Sequence, residues 1–458
     1  MEIDFNQSGH VYFMGIGGIS MSGLAHILLS RGFKVSGSDR TPSDLTDFLQ
    51  SEGATVHIGQ RGGNITEDID LCVYTAAIHP DNPEYIKCKE LKIPMVTRAQ
   101  FLGQLMKNYK NSVAISGTHG KTTTSSMAGE ILMDAECDPT LSIGGILPSI
   151  GGNIRIGESD YFLTEACEYT NSFLSLFPKY AIILNIEEDH LDFFKDLDEI
   201  RTSFRKFAEL VPDDGVLIIN SDIKDYEEIT KDLKCRVVTF GRSDNADYYP
   251  LYIHVTEEGD SVFSLKTPSV ATGEITIRVP GEHNVLNAVA ALALADVLNL
   301  DLNKSAKALY KFEGAKRRFE YKGCLMGVDI YDDYTHHPTE IKATLSAAKN
   351  YPHNSMWVVF QPHTYSRTKA FMDDFAKALA LADNVVLTDI YAARETDNLG
   401  ISSEDLMKKI ESLAKKCYYF STFSDIENFL LQKCIPGDML ITMGAGDVLK
   451  IGENLLGS

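Results

Sequence analysis

A short glycine-bearing turn between a predicted strand and a predicted helix is the strongest chemical signal in the sequence. The residues that would surround a phosphate there are Gly117, Thr118, His119, Gly120, Lys121, Thr122 and Thr123. Glycines let backbone N–H groups converge on phosphate oxygens, and the start of a helix adds partial positive charge. Lys121 would reach the β- and γ-phosphates, and the Thr122 hydroxyl would hold Mg²⁺. The two glycines before Lys121 lie closer together than in a strict phosphate loop, so a plain structural turn stays the alternative.

Two further polar side chains follow predicted strands. Glu165 closes the strand YFLT, and His190 follows the strand AIILNI. Ligands of open α/β sheets bind outside the carboxyl ends of the strands, so both side chains could reach a metal near Lys121. Oxygen and imidazole donors together with phosphate suit Mg²⁺ or Mn²⁺. Either residue taken alone is more often a loop residue or a helix cap.

The N-terminal segment GIGGISMSG resembles a dinucleotide-binding turn. Gly15 and Gly17 fit its first two glycine positions, Ser20 replaces the third, and Asp39 ends the next strand as a candidate ribose acceptor. The pattern favours binding of some diphosphate rather than of NAD in particular. A glycine-rich structural turn is the alternative.

The last third of the chain carries three polar motifs. AKRRF carries the adjacent Arg317 and Arg318, which invite an anion in so acidic a chain, although a solvated basic turn is the alternative. DDYTHHPTE and QPHTYSRT each follow a predicted strand. Pro338 suits the first position of a helix. Two polar clusters at strand ends of one sheet favour a site over two unrelated loops. His336, His337 and His363 do not have zinc-site spacing, which makes a metal cluster there the weaker interpretation.

The elements that must position these residues alternate between short apolar strands and helical patterns. This order is typical of βαβ units and predicts an α/β fold in three domains. We expect a Rossmann-like domain over residues 1–109, a central ATPase-type α/β domain over 110–313 and a Rossmann-like domain over 314–458. Among the predicted elements are strands at His10–Met14 and Leu71–Tyr74 and a helix from Lys121. Residues 248–279 alternate differently, with strands at Tyr249–Val255 and Glu274–Val279, and predict a small antiparallel insertion in the central domain.

Composition narrows the function further. The 458 residues carry 43 Lys plus Arg against 64 Asp plus Glu, a net charge of −21 that disfavours nucleic acid as a partner. No apolar run is long enough for a membrane helix, and MEIDFNQSGH has no basic start of a signal peptide. Eight scattered Cys without a CxxC pair predict reduced thiols and a cytoplasmic location.

With these motifs together, the chain resembles the Mur ligase family over nearly its whole length. The motifs GIGGISMSG, SGTHGKTTT, EACEYTNSFL, NIEEDHLDFF, GEHNVLNAVAA, RRFE, DDYTHHPTEI and FQPHTYSRT occur in the family's order and spacing. GIGGIS together with DDYTHHPTEI resembles the branch that adds L-alanine. The resemblance implies ATP-dependent joining of L-alanine to the lactoyl carboxylate of UDP-N-acetylmuramate through an acyl phosphate, with Mg²⁺ or Mn²⁺ as cofactor. The resemblance does not decide whether the protein is a monomer or a dimer.

The resemblance also implies a role for each matching position. The UDP diphosphate would lie at Gly15, Gly17, Gly18, Ser20, Met21 and Ser22, with Asp39 near the uridine. Thr122 and Glu165 would bind one Mg²⁺ and His190 a second. Asn284 and Asn287 would read adenine, and Asp333 the ATP ribose. Tyr334, His336 and Arg367 would lie near alanine or the acyl phosphate. The groups expected to act on the reacting atoms are Lys121, Arg318, His336 and Arg367. Because histidine titrates near neutral pH, His336 is expected to take the proton of the alanine amine or to position that amine.

Three positions depart from the family pattern, and four other interpretations compete. Thr364 stands where Arg is common, Cys167 where an acid often stands, and Thr335 where Gly is frequent. A murein tripeptide ligase shares most motifs, and folylpolyglutamate synthetases share the Lys121 turn but not the Gly15 turn. A nicotinamide dehydrogenase is suggested by Gly15 and Gly17 alone. A non-catalytic nucleotide-binding regulator is disfavoured because Lys121, Thr122, Glu165 and His190 are all intact.

Overall fold

The computed structural model describes residues 3–457, so Met1 and Glu2 of the N-terminal decapeptide and Ser458 lie outside the described residues. The chain divides into two compact units. The first contains the described chain up to Gly117, with Leu132–Ile186 and Arg201–Val238. The second contains Thr118–Ile131, Glu187–Ile200 and the described chain from Thr239 onward.

The N-terminal part of the first unit is a five-stranded parallel sheet in the order β3-β2-β1-β4-β5. Its elements are β1 (His10–Met14), α1 (Ile19–Ser30), β2 (Lys34–Asp39), α2 (Asp44–Ser51), β3 (Thr55–Ile58), β4 (Leu71–Tyr74), α3 (Pro83–Glu90), β5 (Met95–Thr97) and α4 (Arg98–Met106). The central strand HVYFM is buried along its whole length, as parallel strands covered by helices require.

The second sheet has seven strands in the order β12-β11-β10-β6-β9-β7-β8. The elements of this region are β6 (Asn111–Ser116), α5 (Lys121–Asp134), β7 (Thr140–Leu147), β8 (Gly152–Arg155), β9 (Tyr161–Ala166), β10 (Tyr180–Ile183), α6 (Leu197–Ala208), β11 (Val216–Asn220), α7 (Tyr226–Thr230) and β12 (Arg236–Phe240). β7 and β8 form an antiparallel hairpin, while β6 pairs in parallel with β9 and β10.

The chain then forms the predicted antiparallel insertion and two helices. These elements are β13 (Tyr249–Val255), β14 (Ser261–Lys266), β15 (Ala271–Ile277), α8 (Glu282–Val297) and α9 (Leu302–Lys311). Antiparallel pairing of β14 with both neighbours confirms the insertion. Short 3-10 helices elsewhere in the chain are Gly62–Asn64, Pro148–Ile150 and Tyr169–Ser175.

The fourth sheet has six strands in the order β16-β17-β21-β18-β19-β20. Its elements are β16 (Glu320–Leu325), β17 (Val328–Asp333), α10 (Pro338–Ala348), β18 (Met356–Phe360), α11 (Tyr365–Ala370), α12 (Met372–Leu379), β19 (Asn384–Leu387), α13 (Ser403–Ser412), β20 (Lys416–Tyr419), α14 (Phe423–Lys433), β21 (Met439–Met443) and α15 (Leu449–Leu456). β21 pairs in parallel with both β17 and β18, so the loops after β17 and β18 flank the same sheet edge.

Most predicted elements are confirmed, and the differences have local causes. β1, β4 and β13 have the predicted bounds, and α5 begins at Lys121 as expected. The last insertion strand is predicted over Glu274–Val279, but the structure has it earlier in the chain, at Ala271–Ile277. The sequence gives no signal for β16 because this edge strand alternates only between half-buried and exposed residues. None of the helices within the described residues has the length and hydropathy that crossing a membrane requires.

Candidate active site

The turn before α5 has the form expected of a phosphate-binding loop. Gly120 adopts φ +83°, and a Cβ there would lie 2.6 Å from the Oδ1 of Asn287, so only glycine fits without displacement. Lys121 is the first residue of α5, and its Nζ donates a hydrogen bond to the carbonyl of Thr118 at 3.0 Å. The turn therefore presents the start of a helix and a lysine together.

The two asparagines expected to read adenine lie in the first turns of α8. Asn287 donates to the Oδ1 of Asn284 at 3.0 Å, and Asn284 donates to the carbonyl of Pro280 at 2.7 Å. The contact with Gly120 shows that Asn287 packs against the phosphate turn. Their role toward adenine stays a prediction.

The three predicted metal ligands have donor chemistry that suits Mg²⁺. Glu165 lies at the end of β9 and accepts a hydrogen bond from the N–H of Gly144 at 2.5 Å. A Cβ on Gly144 would lie 2.6 Å from the Glu165 Oε2, so the missing side chain makes room for the carboxylate. Thr122 supplies a hydroxyl in the first turn of α5, and His190 is held at φ +52°. The oxygen donors of Thr122 and Glu165 fit a hard divalent cation such as Mg²⁺, and the imidazole of His190 is also compatible with Mn²⁺.

The adjacent arginines of the RRFE motif have different partners. Arg317 donates to Asp332 at 3.0 Å and to the carbonyl of Gly444 at 2.7 Å, so it ties two strand ends together. The Arg318 Nη2 lies 3.5 Å from the Thr122 hydroxyl, and its guanidinium lies 5.4 Å from the ring centre of Tyr334. Arg318 is therefore the member of the pair that faces the phosphate turn.

Asp333 is buried at the end of β17, where burial raises the pKa of its carboxyl. One of its oxygens accepts hydrogen bonds from the N–H and the hydroxyl of Thr335, and the other accepts from Thr344 at 3.0 Å. The unusual Thr335 thus has a structural reason, because its hydroxyl holds the loop onto Asp333. Contact of Asp333 with a ribose stays a prediction.

The loop after Asp333 presents His336. Its Nδ1 lies 3.0 Å from the carbonyl of Tyr334, and because a carbonyl only accepts, Nδ1 carries the proton and Nε2 keeps a lone pair. Burial lowers the pKa of His336 to about 3, against the opposing carboxylate of Glu340. The expectation that His336 titrates near neutrality is therefore wrong, since desolvation outweighs the nearby negative charge.

Arg367 lies in α11 and is paired with an acidic residue that the sequence did not single out. Its Nε and Nη2 donate to Asp189 at 3.0 and 2.8 Å, and its Nη1 lies 3.1 Å from His363. Glu395 accepts hydrogen bonds from the backbone N–H groups of Tyr365 and Ser366 at the start of α11. A carboxylate at a helix N-terminus is favourable, so Glu395 fixes the helix that carries Arg367.

Thr364 occupies the N-cap position of α11. It adopts φ +65°, and its side chain accepts from the N–H of Arg367. At this position the chain therefore supplies a helix cap instead of the cation that the resemblance leads us to expect.

The N-terminal turn has the close backbone geometry expected for diphosphate binding. Gly15 adopts φ +84° and donates to the carbonyl of Ser38 at 2.8 Å. Asp39 accepts from the N–H of Gly17 at 2.9 Å, so part of its carboxylate stabilises the turn itself. Met21 and Ser22 are buried within α1, whereas Arg98 donates to the Ser20 hydroxyl at 3.1 Å. Arg98 is a cation near this turn that the sequence analysis missed.

A glycine-bearing turn with lysine, a second arginine-bearing loop and a glycine turn on a separate Rossmann-like sheet are the features of a nucleotide-binding α/β protein with several sheets. Three family models match the chain: "Mur ligase family, catalytic domain" over residues 10–110, "Mur ligase middle domain" over 115–295 and "Mur ligase, glutamate ligase domain" over 317–446. The chain belongs to the Mur ligase family, and this family membership implies ATP as co-substrate.

Individual relatives show which members of the Mur ligase family this chain is similar to. The UDP-N-acetylmuramate–L-alanine ligase of Lachnospira eligens is 58% identical over 456 residues, covering 99% of both chains. The enzyme of the same name from Agathobacter rectalis is 54% identical, again covering 99% of both chains. The crystal structure of UDP-N-acetylmuramate-alanine ligase MurC from Thermotoga maritima has 30% identity and a TM-score of 0.81, covering 98% of each chain. Its three-domain α/β architecture agrees with the fold class predicted from the sequence.

Proposed function

We propose that this chain joins L-alanine to the lactoyl carboxylate of UDP-N-acetylmuramate, with conversion of ATP to ADP and phosphate. The product is a peptidoglycan precursor, and the cytoplasm is the compartment in which we place the reaction. The observation that carries the proposal is the approach of Arg318 to Thr122, because it brings a cation of the third region to the start of the phosphate-binding helix. The names of the full-length relatives supply the substrates.

We assign one part of the reaction to each of the predicted regions. Residues 1–109 bind the UDP-sugar through the turn that Gly15 opens, and residues 110–313 bind ATP at Lys121. Residues 314–458 supply the alanine site. The backbone geometry of the Gly15 turn supports its part of this assignment, since close approach of the chain to a diphosphate needs glycine.

Mg²⁺ is the cation that the donor set favours. Thr122 and Glu165 would hold one ion and His190 a second, supported by the space that Gly144 leaves for the Glu165 carboxylate. When bound, the ions supply positive charge beside the transferring phosphoryl group. This chain's own share is to hold the ligands in place.

The first step makes a poor electrophile reactive. The lactoyl carboxylate oxygen attacks the γ-phosphorus of ATP, the bond to ADP breaks, and an acyl phosphate forms. Lys121 and Arg318 stabilise the charge that develops on the phosphoryl oxygens, by position rather than by covalent chemistry. We assign Arg367, whose position is fixed by its ion pair with Asp189, to the carboxylate or the acyl phosphate.

In the second step the neutral alanine amine attacks the acyl carbon, the carbon–oxygen bond to phosphate breaks, and the attacking nitrogen gives up its extra proton to the departing phosphate. The neutral His336 ring supports a role as an acceptor that orients the amine through Nε2. A ring with a pKa of about 3 is a weak base toward an ammonium group, so the proton is lost to solvent before attack. His336 is therefore assigned the positioning of the amine.

The test is phosphate release by the purified chain with UDP-N-acetylmuramate, ATP and Mg²⁺, run with alanine, serine, glycine and the murein tripeptide. We expect release that depends on all components and is fastest with alanine. Release supported by the tripeptide alone would instead establish a peptide-recycling ligase. No release with any acceptor would contradict the proposed ligase activity.

A further inference from the structure

Three segments of the second unit meet around the side chain of His119. Its Nδ1 lies 3.2 Å from the Glu340 Oε1, and its Nε2 lies 3.5 Å from the Glu187 Oε2. Glu340 belongs to α10, whereas Glu187 precedes His190 on a different segment. His119 thus connects the phosphate turn to two carboxylates from separate parts of the chain.

Glu187 is fixed from both sides. Its backbone N–H donates to the Thr118 hydroxyl at 2.9 Å, and its carboxylate accepts from the Thr339 hydroxyl at 2.8 Å. The same carboxylate that faces His119 is therefore held by the first turn of α10. Hydrogen bonds and an ion pair thus connect the phosphate turn, Glu187 and the first turn of α10 to one another, and we call this set of contacts the His119 network.

Glu340 connects the His119 network to the loop that carries His336. While its Oε1 faces His119, its Oε2 accepts from the backbone N–H of His336 at 3.3 Å. One carboxylate thus touches the phosphate turn with one oxygen and the amine-orienting loop with the other. Glu340 therefore directly connects the turn proposed to bind ATP with the loop proposed to orient alanine.

A metal site is the competing interpretation, since ligand atoms of His119, Glu187 and His337 lie within 4.8 Å of one another. His337 does not suit that role. Its Nδ1 accepts from the N–H of Thr339 at 3.3 Å as the N-cap of α10, and its Nε2 lies 3.1 Å from the carbonyl of Glu188. Both ring nitrogens of His337 therefore have backbone partners. This favours a network of ion pairs around His119 over a metal cluster.

The charge state agrees with that geometry. Burial alone would lower the pKa of His119, but the carboxylates of Glu340 and Glu187 outweigh it and raise the pKa to about 9. Burial lowers the pKa of the neighbouring His337 and takes that of His283 to about 4, so neither competes as a cation. His119 is thus the positively charged partner of the two carboxylates at neutral pH.

We propose that His119 and Glu340 are a pair of positioning residues that couples the ATP-binding turn to the alanine-orienting loop. The inference rests on the proposed function for its substrates and goes beyond it by naming the connection between the two sites. Loss of either partner lets the turn and the His336 loop move independently, so both substrates bind less well. Neither side chain is assigned a contact with the reacting atoms.

The experiment is a double-mutant cycle of His119→Gln, Glu340→Gln and the double variant. Matched controls are His254→Gln and Glu411→Gln, whose side chains are exposed. We expect each single variant to lower kcat/KM for both ATP and alanine by about 10- to 100-fold, within the usual range of coupling between sites. The double variant should be no worse than the poorer single one. Multiplicative losses, or single variants within twofold of the controls, would overturn the pairing.

Two further readouts separate this inference from a folding defect and from failure of the proposed function. Melting temperatures close to the wild-type value together with raised KM values support positioning, whereas activity loss that only follows unfolding contradicts it. Affinity for a non-hydrolysable ATP analogue tests the cycle even if the wild-type chain makes no product. A stoichiometric zinc content that is lost in His119→Gln would show a metal cluster and overturn the ion-pair account.

Discussion

Asp189 binds Arg367 through a single oxygen. Both the Nε and the Nη2 of Arg367 donate to the Asp189 Oδ1, at 3.0 and 2.8 Å, although the residues are 178 positions apart. Both side chains are more than nine-tenths buried. Burial opposes the charge of Asp189, but Arg367 holds the pKa of that carboxyl well below its usual range. The pair fixes Arg367 from the segment that also carries His190.

Replacing Asp189 with Asn should destabilise the protein, because the buried guanidinium loses its compensating charge. We expect a loss of about 3–5 kcal/mol in the free energy of unfolding, the usual cost of breaking a buried pair. The measurement is denaturant unfolding at pH 7. The control is Asp374→Asn, which breaks an exposed pair with Lys377 and should cost about 1 kcal/mol or less. Equal losses in the two variants would contradict a stabilising role for the buried pair.

Lys121→Ala should remove turnover while leaving UDP-sugar binding largely intact. Loss of one charge-stabilising contact costs about 3–4 kcal/mol, or roughly 10²–10³ in kcat. Steady-state phosphate release gives the rate, and calorimetric titration with UDP-N-acetylmuramate gives the affinity. Lys304→Ala, at an exposed position of α9, serves as the control. Near-normal turnover in Lys121→Ala would remove its phosphate role.

The pH dependence of kcat/KM for alanine should show no inflection caused by titration of His336. Because burial holds its pKa at about 3, well below the ordinary value near 6.5, the ring stays neutral throughout the range from pH 5 to 9. His336→Gln should lower kcat/KM for alanine by roughly 2- to 10-fold, the value of a hydrogen bond between neutral groups of about 0.5–1.5 kcal/mol, without changing the profile's shape. A wild-type acid limb near pH 6.5 that disappears in His336→Gln would establish a titrating base.

Gly103→Ala should lower stability through a close contact inside the first unit. A Cβ at this position of α4 would lie 1.8 Å from the carbonyl oxygen of Ser175, so the helix must move away. Overpacking of this kind costs about 1–3 kcal/mol, measured as a lower free energy of unfolding. Gly63→Ala is the control, since its Cβ would meet nothing within 4 Å. Equal stability of the two variants would show that the contact relaxes without cost.

The sequence predicted features that depend on local patterns. Buried apolar runs located β1 and β4, and the glycine turn placed Lys121 at the first position of α5. The sequence did not predict which residues at distant strand ends contact each other, because those contacts depend on the order of the strands in the sheet. The separate partners of Arg317 and Arg318 are an example, since adjacent arginines look alike in a sequence. The low pKa of His336 escaped for the same reason, because burial depends on the packed loop.

The most direct test of the account follows an oxygen atom. UDP-N-acetylmuramate carrying ¹⁸O in both lactoyl carboxylate oxygens is incubated with the chain, ATP, Mg²⁺ and L-alanine, and the released phosphate is analysed by mass spectrometry. Activation as an acyl phosphate transfers one labelled oxygen to each phosphate, so singly labelled phosphate should appear in step with the amide product. Amide formation with unlabelled phosphate would contradict the central claim that ATP activates the carboxylate.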